Sequence, residues 1–477
     1  MTTNATALGT DRTIGVIGAG TMGAGIAQLA AANGHPVLLY DAFDGAAEKG
    51  KARIAKGLNG LVARGKMTEA DVEALVGRIT IATAPEDLSG VAMVVEAIVE
   101  NLEVKRSLFG QLEGIVAEDT ILASNTSSIS LTAIARDLKR PERFVGMHFF
   151  NPAPVMKLVE VISGVATAPE VAATVFATAE AWGKIAVHAK STPGFIVNRV
   201  ARPYYAEALR LYEEQVADPA TLDALLTEGG GFRMGPFALI DLIGADVNYT
   251  VNLSVFEAFY NEPRFRPSII QLELVNSGRF GRKTGRGFYD YSDGAEMPRP
   301  ATVSAGDTAG AADLASGRID DVLIMTTRGR TARAEARDAD RPVILHDLFI
   351  EGTTRRLGFT VSPGVSDEVI ARFVAALKVQ GVAATRLADW PGLVVMRTVA
   401  MLANEGFEAV MQGVADEDGI DLAMRYGVNY PKGPIAWAQE IGLARVLSVL
   451  DALHEATGDP RYRASLRLRL AAEALED

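Results

Sequence analysis

TIGVIGAGTMGAGIAQ, residues 13–28, decides how this chain reads. A short apolar strand, Ile14 to Ile17, runs straight into Gly18-x-Gly20-x-x-Gly23, and an alanine-rich helical stretch follows. Beyond it a second apolar run, Val37 to Tyr40, ends in Asp41. Strand, glycine turn, helix, strand and acid in this order make a dinucleotide-binding unit. Gly18 permits the tight turn, Gly20 lets the backbone approach a pyrophosphate, and Gly23 lets the helix pack closely on the strand. Free N–H groups at the helix start, around Thr21 and Met22, face the phosphates. Asp41 suits a ribose diol, and its charge repels a 2′-phosphate, so the expected cofactor is NAD rather than NADP.

Outward from this unit, strand-like and helix-like stretches alternate to about residue 190, as in a doubly wound α/β sheet. Expected strands include Met93–Glu96, Ile121–Ser124, Val145–Phe149 and Val155–Val161, the last two flanking Asn151-Pro152 and forming an antiparallel pair. At Thr192-Pro193-Gly194 the character changes to helical, with long helices expected over 195–215 and 238–259. The fold class is thus α/β: a Rossmann-type dinucleotide-binding domain (1–191), an all-α substrate and dimerisation domain (192–290), a linker (291–317), a small degenerate α/β domain (318–387) and a second all-α copy (388–477). The repeat is legible in the sequence. PGFIVNRV at 193–200 recurs as PGLVVMRTV at 391–399, and Gly235-Pro236 follows the first copy at the spacing of Gly433-Pro434 after the second. Glu207 matches Glu405, Asp223 matches Asp421 and Gly244 matches Gly442. The small α/β unit has no glycine turn and is not expected to bind a dinucleotide.

Composition narrows the function. The 477 residues include no cysteine, which excludes disulfides, thiol nucleophiles and thiolate metal sites. The net charge of −12 argues against a nucleic-acid partner. No apolar run reaches the ~18 residues of a membrane span, and the polar N-terminus resembles neither a signal nor a transit peptide, so a cytoplasmic protein is expected.

Oxidation of an alcohol needs a base at the hydroxyl and donors for the carbonyl oxygen. Of five histidines, His148 in GMHFFNPAP follows the later strands of the nucleotide domain and is the best-placed base. Glu160 ends the next apolar run, where a carboxylate would fix the imidazole tautomer. Ser127 in SNTSS suits a substrate hydroxyl, although serine there is also a helix cap. Asn198, one turn into PGFIVNRV, suits a second polar contact in a cleft between domains; the repeat has Met396 in its place. Lys49, Lys51, Arg53 and Lys56 make a basic helix whose cations either bind phosphates or are solvated.

Together GAGTMGAGIAQ (18–28), VVEAIVENLEVK (94–105), SNTSS (124–128), HFFNPAPVMKLVEV (148–161) and TPGFIVNR (192–199) resemble the 3-hydroxyacyl-CoA dehydrogenase family, strongly over 12–290. The second helical copy resembles the family's long bacterial form. The resemblance implies oxidation of an (S)-3-hydroxyacyl-CoA by NAD. It places the catalytic base at His148, its orienting acid at Glu160, the contact to the 3-oxygen at Ser127 and the interdomain asparagine at Asn198. Glu100 and Lys105 match cofactor-side residues, and Lys49, Arg53 and Lys56 fall where the family places CoA. The favoured substrate is 3-hydroxyadipyl-CoA of phenylacetate breakdown, with 3-hydroxybutyryl-CoA as the alternative. A 3-hydroxyisobutyrate-type enzyme would want a lysine where Asn198 stands, and a non-catalytic NAD-binding subunit would show a damaged catalytic set. A terminal carboxylate would need a cation: Arg202, Arg233, Arg264 and Arg425 are candidates among which the sequence does not choose. A homodimer is expected.

Overall fold

The computed structural model describes residues 6–304 and 312–474. The centre of the expected linker, residues 305–311, lies outside them. Eight strands form the first sheet: β1 (Ile14–Ile17), β2 (Val37–Tyr40), β3 (Ile79–Ile81), β4 (Met93–Glu96), β5 (Ile121–Ser124), β6 (Phe144–Phe149), β7 (Leu158–Ser163) and β8 (Ile185–Lys190). Their order is β3-β2-β1-β4-β5-β6-β7-β8. All neighbours run parallel except β6 and β7. The central strands are buried on both faces and are apolar up to their carboxyl ends, where β4 closes on Glu96 and β5 on Ser124, as a sheet covered by helices requires. Chain order reverses between β1 and β4, which puts the ligand crevice at the carboxyl ends of these strands.

The strand expected at Val155–Val161 begins at Leu158 instead. Prolines 152 and 154 keep 151–157 out of the ladder, and the Nζ of Lys184 takes up the carbonyls of Ala153 and Met156 at 2.6 and 2.8 Å. The long helices are also interrupted. Phe195 sits at φ +47° in a turn, after which come Val197–Val200 and Arg202–Glu213. Gly244, at φ +103°, separates Pro236–Ile243 from Ala245–Ala258.

A second sheet, in order β13-β12-β11-β10-β9, comprises β9 (Arg318–Ile319), β10 (Val322–Thr326), β11 (Val343–His346), β12 (Arg356–Val361) and β13 (Ala383–Arg386). From β10 to β13 the pairing is parallel, antiparallel, parallel, the pattern of β5 to β8. In both sheets a 13-residue helix links the last two strands, Pro169–Ala181 in one and Asp367–Val379 in the other. The small domain is the second half of a dinucleotide fold, lacking the half that carries a glycine turn. With the matching helices that follow each sheet, this half-fold and its helical domain are repeated together.

The chain forms two compact units, Met1–Val197 with Gly413–Val428 and Asn198–Gln412 with Asn429–Asp477. In the first, the helix Glu417–Gly427 from the second helical copy packs on β7 and β8, and Lys190 N–H donates to the Val414 carbonyl at 2.9 Å. In the second, the matching segment of the first copy, ending at Leu225–Gly229, packs on β12, and Arg355 N–H donates to the Glu228 carbonyl at 2.7 Å. Among the described residues no helix is long and apolar enough to cross a membrane.

Candidate active site

The glycine turn has the geometry its spacing implies. Gly18 takes φ +95°, and a Cβ there would lie 2.5 Å from the Ala97 carbonyl oxygen. A Cβ at Gly23 would stand 1.7 Å from the Gly18 carbonyl oxygen, so close helix–strand packing demands glycine. Gly20 differs: a Cβ there meets no protein atom within 4 Å. Packing within the chain therefore does not demand glycine at this position. Gly20 is also the N-cap of the helix Thr21–Ala32 and gives it no side-chain cap, leaving the helix start open to an anion. Asp41, at the end of β2, accepts the Ala19 N–H at 2.6 Å and the Phe43 N–H at 3.0 Å, which fixes its carboxylate beside the turn. These residues fit the pyrophosphate and adenosine ribose of NAD.

His148 and Glu160 are register partners across β6 and β7 and so project on the same face. Glu160 Oε2 lies 2.6 Å from His148 Nδ1. Glu160 Oε1 accepts the N–H groups of Ile196 and Val197, both at 3.0 Å. The turn through Gly194 and Phe195, at φ +73° and +47°, delivers these donors. Both side chains are buried, and the Phe150 and Phe195 rings lie 4.7 and 5.8 Å from the imidazole. A fully engaged carboxylate in a dry setting holds the Nδ1–H tautomer and leaves Nε2 as the basic atom.

Ser127 follows β5. Its N–H and Oγ both donate to Glu100 Oε1, at 2.9 and 3.2 Å, and that oxygen also receives Thr126 and Ser128. Burial alone would raise the Glu100 pKa, but Lys105 and these hydrogen bonds together hold it below the usual range. Lys105 is itself buried, with its ammonium 2.6 Å from Glu96 and 3.3 Å from Glu100. Glu96 escaped the sequence reading. It ends β4 and also takes the Ser124 hydroxyl at 2.6 Å and the Ile98 N–H at 2.7 Å, tying the ends of β4 and β5 together. A buried acid closing an apolar strand nine residues before a lysine was the available signal. Asn125, also missed, accepts the Phe149 N–H at 2.8 Å next to His148.

Lys49, Arg53 and Lys56 are exposed on one face of the helix Ala46–Val62, while Lys51 turns to the Ile79 carbonyl. Asn198 lies in Val197–Val200 at the start of the second unit. Its counterpart Met396 is fully buried. Of the four arginines, Arg264 is paired with Glu405 at 3.1 Å, Arg233 and Arg425 are exposed, and Arg202 is buried. His346 occupies in β11 the place of His148 in β6, but its cross-strand partner is Phe359. Asp347 instead accepts the N–H groups of Val394, Val395 and Met396, as Glu160 does for the first copy.

A carboxylate-held imidazole on the same sheet as a dinucleotide turn is the equipment of a nicotinamide-dependent alcohol oxidoreductase, in which the ring handles the hydroxyl proton. The chain belongs to the 3-hydroxyacyl-CoA dehydrogenase family. The family's NAD-binding domain matches residues 13–192, and its C-terminal domain matches 194–291 and again 392–476. Residues 324–391 match the 3-hydroxybutyryl-CoA dehydrogenase reduced Rossmann-fold domain. A 3-hydroxyadipyl-CoA dehydrogenase of Escherichia coli K12 is 47% identical over 96% of this chain and 97% of its own length. A probable 3-hydroxybutyryl-CoA dehydrogenase of Bacillus subtilis is 44% identical over 58% of this chain and 96% of its own. The crystal structure of a 3-hydroxybutyryl-CoA dehydrogenase from Escherichia coli K12 superposes with a TM-score of 0.93 at 46% identity, covering 98% of this chain and 99% of that one. The activity is therefore NAD-dependent 3-hydroxyacyl-CoA dehydrogenation, with His148 and Glu160 as the buried catalytic pair.

Proposed function

We propose that the substrate is 3-hydroxyadipyl-CoA, oxidised at C3 to the 3-oxo thioester. The near full-length likeness to an enzyme of that name supports the acyl group. The 2.6 Å His148–Glu160 contact carries the mechanism. NAD, when bound, supplies the hydride acceptor. His148 Nε2 takes the proton of the 3-hydroxyl, and Glu160 stabilises the imidazolium that results. In the reducing direction the same nitrogen returns the proton. Ser127 and Asn198 hold the substrate oxygens. Glu100 and Lys105 serve the cofactor side, and Lys49, Arg53 and Lys56 face the CoA phosphates. The enzyme works in the cytoplasm as a homodimer, which light scattering tests by returning twice the chain mass.

NADH formation from 3-hydroxybutyryl-, hexanoyl-, octanoyl- and adipyl-CoA tests this reading, with His148→Ala alongside. The adipyl thioester should lead, and the variant should lose roughly 10²–10⁴ in kcat while still binding NAD. Retained activity in His148→Ala removes the base assignment. A lead for the butyryl thioester moves the acyl group to the alternative, which the name of the similar Escherichia coli structure favours.

A further inference from the structure

A cavity of about 440 Å³ lies wholly within the second compact unit and is lined by none of the residues assigned to catalysis. One wall is a single face of the helix Arg202–Glu213, where Arg202, Ala206, Leu209, Arg210 and Glu213 follow one another at helical spacing. A cation stands at each end of this stripe, with apolar side chains between and the Glu213 carboxylate beyond. Arg266 and Arg461 reach the same space beside the short turns Pro263–Phe265 and Pro460–Tyr462, and Phe265, Ile269 and Ile270 add further apolar surface. Four guanidiniums thus meet two carboxylates. Asp459 Oδ2 alone receives Arg210 at 3.1 Å, Arg461 at 3.2 Å and Arg266 at 3.5 Å. Glu213 is exposed, takes the Ser268 hydroxyl and forms no ion pair among the described residues. Glu207, whose charge also reaches Arg461, is committed to Arg397 at 2.7 Å. Arg202 is 7% exposed and has only neutral partners: its Nη1 donates to Asn252 Oδ1 at 2.7 Å, and the Tyr205 ring centre lies 5.1 Å away. The Nε atoms of Arg202 and Arg210 are buried and donate to nothing. Burial pushes the Arg202 and Arg461 guanidiniums below their ordinary pKa. Interior cations short of counter-charge are costly.

The repeat supplies an internal control. Ala400 and Leu450, both fully buried, stand where the first copy has Arg202 and Asn252. Glu408 stands where the first copy has Arg210. Pro263-Arg264-Phe265-Arg266 recurs as Pro460-Arg461-Tyr462-Arg463, so Arg264 and Arg463 are the counterparts of Arg461 and Arg266. These two lie 4.0 and 3.8 Å from Glu408, and Arg264 also pairs with Glu405 at 3.1 Å. The same helices therefore pack with an acid of the chain among these arginines. The first copy has a cation in that acid's place, and a cavity beside it.

We propose that this cavity is a binding site for a small organic dianion, an α,ω-dicarboxylate, with one carboxylate on Arg202 and the other on Arg210 and Arg266. A guanidinium takes a carboxylate in two parallel hydrogen bonds, and Arg202 and Arg210 each have an Nε to give. The two arginines leave one helix about 12 Å apart along its axis. Ala206 and Leu209 between them, with Phe265 and Ile270 opposite, match a methylene chain rather than a further phosphate. The volume suits a ligand of this size. The site is independent of the acyl group proposed above, because every residue in it belongs to the second unit.

Isothermal titration calorimetry of the whole protein with succinate, glutarate, adipate and suberate tests this, with hexanoate and pyrophosphate as comparison ligands. Wild type should bind at least one diacid, one molecule per chain, and bind hexanoate more weakly. Arg202→Ala and Arg210→Glu, which install the side chains of the second copy, should each weaken the diacid roughly 10- to 100-fold, the size expected for lost hydrogen bonds to a charge. Arg210→Glu supplies the missing negative charge and should melt no lower than wild type; Arg210→Gln replaces it if it fails to fold. His148→Ala should bind the diacid as wild type does. Equal binding by wild type and both arginine variants, or loss in His148→Ala, puts the anion elsewhere and overturns the site. Pyrophosphate binding as tightly as the best diacid overturns the ligand class, and no binding of any of the anions overturns the proposal outright.

Discussion

Single side chains in this protein do double duty, and the site is sensitive to them for that reason. Glu160 spends one oxygen on His148 and the other on two backbone N–H groups, so it orients the base and anchors the turn that begins the helical region. Glu160→Gln keeps an acceptor for Ile196 and Val197 but turns an amide N–H toward Nδ1, which forces the proton onto Nε2 and removes the base. We expect kcat to fall on the order of 10²–10⁴-fold, measured by steady-state NADH formation. A milder loss would mean that the tautomer is set elsewhere. The glycines make a sharper pair. Gly20→Ala places a methyl where no protein atom stands, so melting should be little changed while the NAD KM rises; Gly23→Ala collides with the Gly18 carbonyl and should lower both stability and NAD binding. Equal melting temperatures for the two variants would contradict this. These residues were legible in the sequence because each answers a local requirement of a short motif. Glu96 and Asn125 were not, since their work depends on β4, β5 and β6 lying side by side.

At the scale of elements, the loop between β6 and β7 joins the two catalytic strands, and one lysine from elsewhere holds it. Lys184 reaches the carbonyls of Ala153 and Met156, and a Cβ at Gly25 would meet Pro154 at 3.1 Å, so the loop also packs on the helix that follows the glycine turn. This explains why β7 starts later than its apolar pattern suggests. Val155 and Met156 read as strand, but a partner about thirty residues away decides their conformation. Burial pushes the Lys184 ammonium down to about 8 from its ordinary 10.5. The folded protein sheds this proton before the unfolded chain does. The contribution to stability therefore grows as pH rises from about 8 to 10.5 and is lost as pH falls through 8. Urea unfolding at about pH 7.5 and about pH 9.5 should show wild type gaining on Lys184→Met at the higher pH. Parallel behaviour of the two proteins would rule the linkage out.

At the scale of the whole chain, duplication explains more than the sequence disclosed. The helical repeat was plain because PGFIVNRV and PGLVVMRTV share their turn, including left-handed Phe195 and Leu393. The repeat of β5–β8 as β10–β13 was hidden, since the acid's place opposite the histidine went to Phe359 and the glycine-turn half is missing. Within the second unit the two helical copies meet through reciprocal contacts. Arg199 pairs with Glu405 at 2.6 Å and Arg397 with Glu207 at 2.7 Å, and each arginine also reaches the matching residue of the other copy, Gln412 or Glu214, at 2.9 Å. Self-complementary pairing of this kind is what a two-fold dimer interface shows, here inside one chain. The symmetry is incomplete in a way that has consequences. Glu405 serves two buried arginines, Arg199 and Arg264, whereas Arg397 has both Glu207 and Glu214. Removing one partner of a buried pair costs about 3–5 kcal/mol because the other charge stays behind. Glu405→Gln takes the close carboxylate from Arg199 and leaves Arg264 only the longer 4.0 Å contact to Glu408, so it should lie at or above that range, and Glu207→Gln, with Glu214 still in place, should fall below it. Denaturant unfolding of the two variants decides the matter: equal losses would mean that Glu214 does not share the Arg397 charge, and the copies would then be energetically as well as geometrically alike.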